Sequence, residues 1–136
     1  MGGRGARLGY RYVNGGKVDY GMEYETLAEY ENIKFVKYKL SNQATAPMET
    51  KTKNRIYVTV NDKNEIKYIS FYDSKGKRQS QIDVSGKPHT INGRRELPHV
   101  HLGYEHNENG NRVLTNSEKL LVDKVKNLWK DRDKQN

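Results

Sequence analysis

The sequence predicts an α+β fold, in which an antiparallel β meander of four to five strands carries a C-terminal helix on one face. Three observations lead to this prediction. A length of 136 residues suits a single domain with one modest core. Short runs of alternating apolar and polar residues fill the middle of the chain, as expected for half-buried strands. A stripe of apolar residues at helical spacing follows near the end.

The first segment, residues 1–21, is rich in glycine and carries one acidic residue, Asp19. Glycine loses much conformational entropy when it is ordered, so we expect a flexible basic arm here and a single α+β domain at residues 22–136. A mixture of glycine, arginine and tyrosine suits phosphate contacts and base stacking, and the equal alternative is an inert tail or a linker relic of a larger protein. The basic residues predicted to bind nucleic acid are Arg4, Arg7, Arg11 and Lys17.

The domain is expected to begin with a helix and a strand. Residues 22–31 are acidic and predict a short helix. Residues 32–38 alternate in part and predict the first strand. Residues 41–53 contain small and polar side chains around Pro47, which predicts a loop.

The meander occupies residues 55–84. Residues 55–60 alternate, with Ile56, Val58 and Val60 on one face. A turn at 61–64 leads to a strand at Ile66–Tyr72, which is rich in β-branched and aromatic residues. A second turn at 73–76 ends in glycine. In the last strand, residues 79–84, we expect inward Ile82 and Val84 and outward Gln79, Gln81 and Asp83.

A capping box marks the start of the C-terminal helix. Thr115 and Glu118 have the spacing at which a hydroxyl and a carboxylate satisfy the first free amides. The helix is predicted to run over residues 117–131 and to pack on the sheet through an apolar stripe. This stripe consists of Leu121, Val125, Leu128 and Trp129, and a core role is expected for the tryptophan.

The charge balance points to polyanionic partners. The formal net charge is +8, so phosphate polymers are the favoured ligands, RNA ahead of DNA. There is no cysteine, which excludes disulfides and thiolate metal sites. No apolar run approaches the roughly 20 residues needed to cross a bilayer, and no secretory signal is evident. We therefore expect no membrane partner and a protein that is kept in the cytoplasm or packaged from there.

All four histidines of the chain lie within residues 88–106, which makes this stretch the candidate site. His99 and His101 alternate with Val100 and Leu102, so a strand would place both imidazoles on one face. His89 precedes an Asn92-Gly93 turn signal, and a hairpin there would bring it close. His106 follows Gly103.

Three interpretations of the histidines remain open. In the first, His99 and His101 are the acid and base of metal-independent RNA cleavage, assisted by His89 or His106. Arg94 or Arg95 would stabilise the charge that develops on phosphorus. In the second, the histidines have a structural role and bond to backbone and solvent.

The third interpretation is a metal site. Under the other two interpretations the protein needs no cofactor. His99, His101 and His106 would hold zinc or manganese, with carboxylates drawn from a nearby set. These carboxylates are Asp83, Glu105 and Glu108.

Several short segments carry a resemblance to a known family. Residues 69–78 (ISFYDSKGKR), followed by Gln81-Ile82-Asp83 and then by Pro98-His99-Val100-His101 with Gly103-Tyr104, resemble a module of prophage-encoded proteins and of polymorphic-toxin tips. Several such tips belong to the barnase–EndoU–colicin–RelE nuclease class, small β-meander domains that cleave RNA without metal. The opening residues 2–5 also look like the start of small proteins encoded near head-morphogenesis genes in prophages of Gram-positive bacteria.

Residues and resemblance together predict a phage-associated, nuclease-like protein that cleaves RNA without metal. The alternative is a non-catalytic prophage protein, either a virion accessory or a host-directed inhibitor. Such a protein would bind nucleic acid or an acidic phage or host protein through its basic surface.

Overall fold

The computed structural model describes residues 10–13, 16–19, 23–84, 89–91, 94–96, 99–104 and 110–132. At residues 10–13, 16–19, 89–91, 94–96 and 99 the description covers the backbone. The helix α1 is Asn116–Asp131. The strands are β1 Tyr10–Val13, β2 Gly16–Asp19, β3 Tyr24–Tyr30, β4 Ile33–Tyr38, β5 Ile56–Val60, β6 Ile66–Tyr72, β7 Arg78–Asp83, β8 His89–Ile91, β9 Arg94–Glu96, β10 His99–Leu102 and β11 Asn111–Arg112.

Seven strands form the main sheet, in the order β11-β10-β7-β6-β5-β4-β3. All neighbours are antiparallel except β4 and β5, which are parallel. The α+β class is therefore confirmed, whereas the predicted four to five strands and the uniform meander were wrong. A parallel pair needs a crossover connection, and residues 39–55 provide it, without any helix.

The segment predicted as a short helix is strand β3. Its backbone pairs with β4, from Tyr24 opposite Tyr38 to Tyr30 opposite Ile33. The two strands join through a tight turn in which Glu31 adopts a φ of 55°. The backbone of this segment forms its hydrogen bonds with β4. These bonds stabilise the strand and outweigh the weak helix propensity of an acidic segment that has no N-cap.

The crossover at residues 39–55 contains the predicted loop and is held against the sheet by hydrogen bonds. The Tyr24 hydroxyl donates to the carbonyl of Thr45 at 2.8 Å. The Tyr72 hydroxyl donates to the carbonyl of Pro47. The Arg78 amide donates to the carbonyl of Met48 at 2.8 Å. The crossover therefore covers the part of the sheet that contains these tyrosines.

One face of the sheet, here called the apolar face, packs against α1. The Phe35 and Trp129 rings stack with centroids 5.0 Å apart. Val100 is fully buried, as the predicted alternation in β10 requires. The apolar face and the helix together bury Ile33, Phe35, Val58, Val60, Ile66, Ile69, Ile82, Val100, Leu114, Val122, Val125 and Trp129.

The helix begins at the predicted capping box. The Glu118 amide donates to the Thr115 hydroxyl, and the Thr115 amide donates to the Glu118 carboxylate. Arg112 binds that carboxylate through both terminal nitrogens, at 2.7 and 2.8 Å. The core role of Trp129 is confirmed, and its indole also donates to the carbonyl of Asn64 at 2.9 Å.

The opposite face, here called the polar face, is also largely buried. Gln81 and Asp83 were predicted to point outward, yet Gln81 is buried and the Asp83 side chain is only 15% exposed. The outward prediction was wrong because alternation identifies the two faces of a strand but not whether the second face is covered. The buried polar residues of this face are Lys34, Thr59, Ser70, Arg78, Gln81 and His101.

Two short hairpins complete the described backbone. β1 pairs with β2 inside the predicted arm, where no strand was expected. β8 pairs with β9, as the Asn92-Gly93 turn signal predicted, whereas the expected approach of His89 to His99 and His101 stays a prediction. Within the described ranges, no helix is long and apolar enough to cross a membrane.

Candidate functional site

The candidate site is centred on an imidazole and a carboxylate of the polar face. The His101 Nε2 atom lies 2.9 Å from Asp83 Oδ2. Antiparallel pairing of β10 with β7 places His101 opposite Gln81 and His99 opposite Asp83, so the two bonded side chains are diagonal neighbours. Such diagonals lie within reach of long side chains on one face of a sheet. The register of two central strands therefore brings this pair together.

The contact with Asp83 determines the tautomer of the imidazole. A carboxylate only accepts hydrogen bonds, so His101 Nε2 carries the hydrogen and donates it. In the neutral ring, Nδ1 is then the unprotonated nitrogen, the atom at which an imidazole takes up a proton. Orientation of an imidazole by a carboxylate is the arrangement used by general bases in hydrolytic sites.

A chain of polar contacts extends from Asp83, the last residue of β7, back to its first residue, Arg78. The Gln81 amide nitrogen donates to Asp83 Oδ1 at 3.2 Å. Arg78 donates to Gln81 Oε1 at 2.8 Å and to the backbone carbonyl of Tyr104 at 2.7 Å. The Ser70 hydroxyl also approaches Gln81 Oε1, at 3.4 Å. His101, Asp83, Gln81 and Arg78 thus form one connected network.

Burial shapes the electrostatics of this network. Arg78 is only 8% exposed, and desolvation lowers the pKa of its guanidinium. Its Nε atom is buried and has no hydrogen-bond partner in the described part of the chain. Desolvation, followed by the charge of Asp83, raises the pKa of Tyr68. A positive group therefore lies beside acceptor oxygens in a poorly hydrated place, where charges interact more strongly than in water.

The imidazole is closed off from solvent in this conformation, since His101 is 2% exposed. A substrate would reach Nδ1 only after groups that cover the ring move away. In enzymes whose catalytic site is covered by a loop, the site opens on the timescale of the motion of that loop.

The described residues include only part of the predicted catalytic set. The backbone of His99 lies opposite Asp83, two residues before His101 in β10. In the β8–β9 hairpin, His89 pairs with Glu96, while Arg94 and Arg95 lie in β9. His106 lies outside the described residues. The roles predicted for His89, Arg94, Arg95 and His106 therefore stay predictions.

The predicted nucleic-acid-binding residues divide in the same way. Arg11 lies in β1 opposite Val18, and Lys17 lies in β2 opposite Tyr12. Arg4 and Arg7 lie outside the described residues.

The alternative metal site is not tested by the described side chains. These contain no group of three or more His, Cys, Asp or Glu residues that could hold a metal ion. The predicted set of His99, His101 and His106 includes two residues whose side chains are not described.

Three contributors to the network were not predicted as catalytic residues. They are Arg78, Gln81 and Asp83, of which only Asp83 was considered, as a possible metal ligand. The available signal was the alternation of polar residues in β7, Gln79-Gln81-Asp83, next to a strand with histidines at the same spacing. Pairing β7 with β10 would have placed these polar groups together.

Comparison with protein-family models, with curated proteins and with solved structures gave no match to this chain.

Proposed function

We propose that this protein is an RNA-cleaving domain that uses the polar face of its sheet as the reaction surface. The observation that carries this proposal is the hydrogen bond between His101 Nε2 and Asp83 Oδ2 on a face that also buries the Arg78 guanidinium. Burying several polar groups on one face adds less stability than an apolar face would. Such groups are common at functional sites, where pKa values and orientation matter more than stability.

The chemistry follows from the tautomer. His101 Nδ1 accepts the proton of an RNA 2′-hydroxyl while the 2′-oxygen forms a bond to phosphorus. The bond from phosphorus to the 5′-oxygen breaks, and a second acid protonates the departing oxygen. His99 is our candidate for that acid because its backbone lies opposite Asp83. Asp83 orients the base and stabilises its protonated form, and Arg78 supplies a positive charge within the same network.

The phage association of this activity is part of the same proposal. It is supported by the resemblance of residues 69–83 and 98–104 to the prophage and toxin-tip module. A neighbouring gene for a small acidic immunity protein would strengthen it, because a free ribonuclease harms the cell that makes it.

A second candidate function is non-catalytic binding of nucleic acid or of an acidic protein through the basic surface. The near-complete burial of His101 favours it, since a buried histidine paired with a carboxylate can also serve only to hold two strands together. The net charge of +8 suits both candidates.

The test is cleavage of end-labelled RNA in the presence of EDTA. We would compare the wild type with His101→Gln, Asp83→Asn and His99→Gln, and would use Gln79→Ala as the matched control. Gln79 lies in β7 with the network but is exposed. Loss of a general base or of the carboxylate that orients it is expected to slow cleavage about 100-fold or more. Gln79→Ala should cleave as the wild type does.

The two candidates give different results. Cleavage that resists EDTA, requires the 2′-hydroxyl and fails in the His101 and Asp83 variants supports the proposed activity. Salt-sensitive binding of RNA without cleavage would refute it in favour of the binding function. Cleavage lost in EDTA and restored by zinc or manganese would instead support the metal site.

A further inference from the structure

A second feature lies at the beginning of β7, where the crossover meets the β6–β7 turn. Residues 50–53 and 73–76 line a cavity of about 260 Å³. Lys51, Lys53 and Lys75 belong to the lining, and all three are exposed. Thr50, Thr52, Asp73, Ser74 and Gly76 complete the lining. We propose that this pocket, here called the lysine pocket, binds backbone phosphates of a single-stranded nucleic acid.

The walls of the lysine pocket are fixed to each other. The Thr50 amide donates to the carbonyl of Gly76 at 2.7 Å, and Glu49 and Lys77 form an isolated β-bridge beside it. Gly76 has a φ of 81°, and a Cβ atom there would lie 2.1 Å from the carbonyl oxygen of Thr50. Only glycine permits this close approach. The three lysines are therefore carried by two segments that are held together independently of any ligand.

The charge of the lysine pocket favours an anion. The lining contains three ammonium groups and one carboxylate, Asp73. Asp73 Oδ1 accepts hydrogen bonds from the amides of Lys75 and Lys77, at 2.9 and 3.0 Å. These two donors partly offset its charge towards the cavity. Lysines supply mobile point charges and hydroxyls supply donors, a combination that suits the tetrahedral oxygens of phosphate.

A nucleic-acid strand is the favoured occupant because the pocket adjoins the proposed reaction surface. Lys77 Nζ lies 5.4 Å from the centre of the Tyr104 ring, and Arg78 donates to the carbonyl of Tyr104. One strand could therefore pass from the pocket, over the half-buried Tyr104, to the polar face. Aromatic rings next to cations are the usual platform for unpaired bases. This choice of occupant rests on the proposed function, whereas the site itself does not.

The experiment uses a labelled single-stranded deoxyoligonucleotide, which has no 2′-hydroxyl and so reports binding without cleavage. Its dissociation constant would be measured by fluorescence anisotropy over a range of NaCl concentrations. The test variant is the triple Lys51→Gln, Lys53→Gln, Lys75→Gln. The control is Lys119→Gln, Lys126→Gln, Lys130→Gln, which removes the same charge from exposed positions of α1. All six positions are exposed, so both variants should fold, which thermal melting would verify.

The pocket variant is expected to bind about tenfold more weakly or worse. Its plot of log K against log salt should lose about 2 from the magnitude of its slope, as for the loss of about three phosphate contacts with a single strand. The helix control should change far less. Equal changes in the two variants, or wild-type binding by the pocket variant, would overturn the inference.

The outcomes also separate this inference from the proposed function. A wild type that cleaves no RNA, with a pocket variant that fails to bind, keeps the lysine pocket and refutes the activity. A wild type that cleaves RNA, with a pocket variant that binds normally, keeps the activity and refutes the lysine pocket.

Discussion

The two faces of the seven-stranded sheet are both buried, yet the polar face adds polar and ionisable groups to an apolar cluster that includes Val36 and Tyr57. The apolar face packs Phe35 and Ile69 beneath α1. The polar face is formed by the same strands but buries Ser70, Arg78 and His101. A face that serves only as a core has no need of a guanidinium and an imidazole, so the difference separates a structural face from a candidate functional one.

The largest change in stability should come from truncating a side chain of the apolar face. Ile69→Ala is expected to lower the free energy of unfolding by about 4 kcal/mol, through lost burial and the cavity left behind. Ser70→Ala, at the next residue of β6 but on the polar face, should lower it by about 1 kcal/mol or less. Urea denaturation of both variants measures the difference. Similar losses at the two positions would remove the distinction between the faces.

The crossover that covers the polar face depends on Gly76. Gly76→Ala is expected to cost about 3 kcal/mol, from the positive φ and from the clash of the new Cβ with the Thr50 carbonyl. Gly110→Ala is the control, because Gly110 has a φ of 89° but no atom within 4 Å of the Cβ position among the described residues. It should cost about 1 kcal/mol. Equal losses by thermal unfolding would show that the approach to Thr50 is not tight.

The helix that covers the apolar face should weaken in acid through Glu118. Hydrogen bonds from Arg112 lower the pKa of this carboxyl to about 2, against 4.5 for the free side chain. The folded-state pKa is depressed, so the stabilisation is complete above pH 4.5 and is lost as the pH falls towards 2. Glu118→Gln is expected to cost about 1 to 2 kcal/mol at pH 7 and to abolish this part of the acid sensitivity. Unfolding curves at pH 7 and pH 3 would test this, and an unchanged pH dependence would contradict it.

The smallest effect should be a gain in stability on the polar face. The Thr59 hydroxyl is fully buried and has no hydrogen-bond partner among the described residues. Thr59→Val keeps the shape and removes the unsatisfied group, so the free energy of unfolding should rise by about 1 kcal/mol. A loss of stability in chemical denaturation would mean that the hydroxyl has a partner and that this face is better satisfied than proposed.

Much of the apolar half of the fold was predictable from the sequence. Alternation located β5 and β10, because burial on one side leaves a periodic pattern. The content of β-branched and aromatic residues located β6, and the capping box located α1. Strand β3 was missed because its pairing partner, not its composition, determines its structure. Its position beside β4, and the parallel pairing of β4 with β5, depend on contacts distant in sequence.

Only part of the candidate site was predictable, again because strand pairing brings together residues that are distant in sequence. The histidine spacing identified His101, but its partner Asp83 lies 18 residues away in sequence and meets it only through strand register. From the sequence of β7 alone, Gln81 and Arg78 resemble the exposed polar residues of an edge strand. Their burial depends on the segments that cover the polar face, which no local sequence pattern predicts.

The central claim, that the His101–Asp83 pair of the polar face is kept for chemistry and not for stability, is tested most directly by Asp83→Asn. Both RNA cleavage in EDTA and the free energy of unfolding would be measured on the same sample. Asparagine keeps the shape of the side chain but not its charge, so the imidazole loses the carboxylate that holds its tautomer. We predict a loss of cleavage of about 100-fold or more, with a stability change of about 1 kcal/mol. A loss of about 3 kcal/mol or more with undiminished cleavage per folded molecule would contradict the claim and make the pair structural.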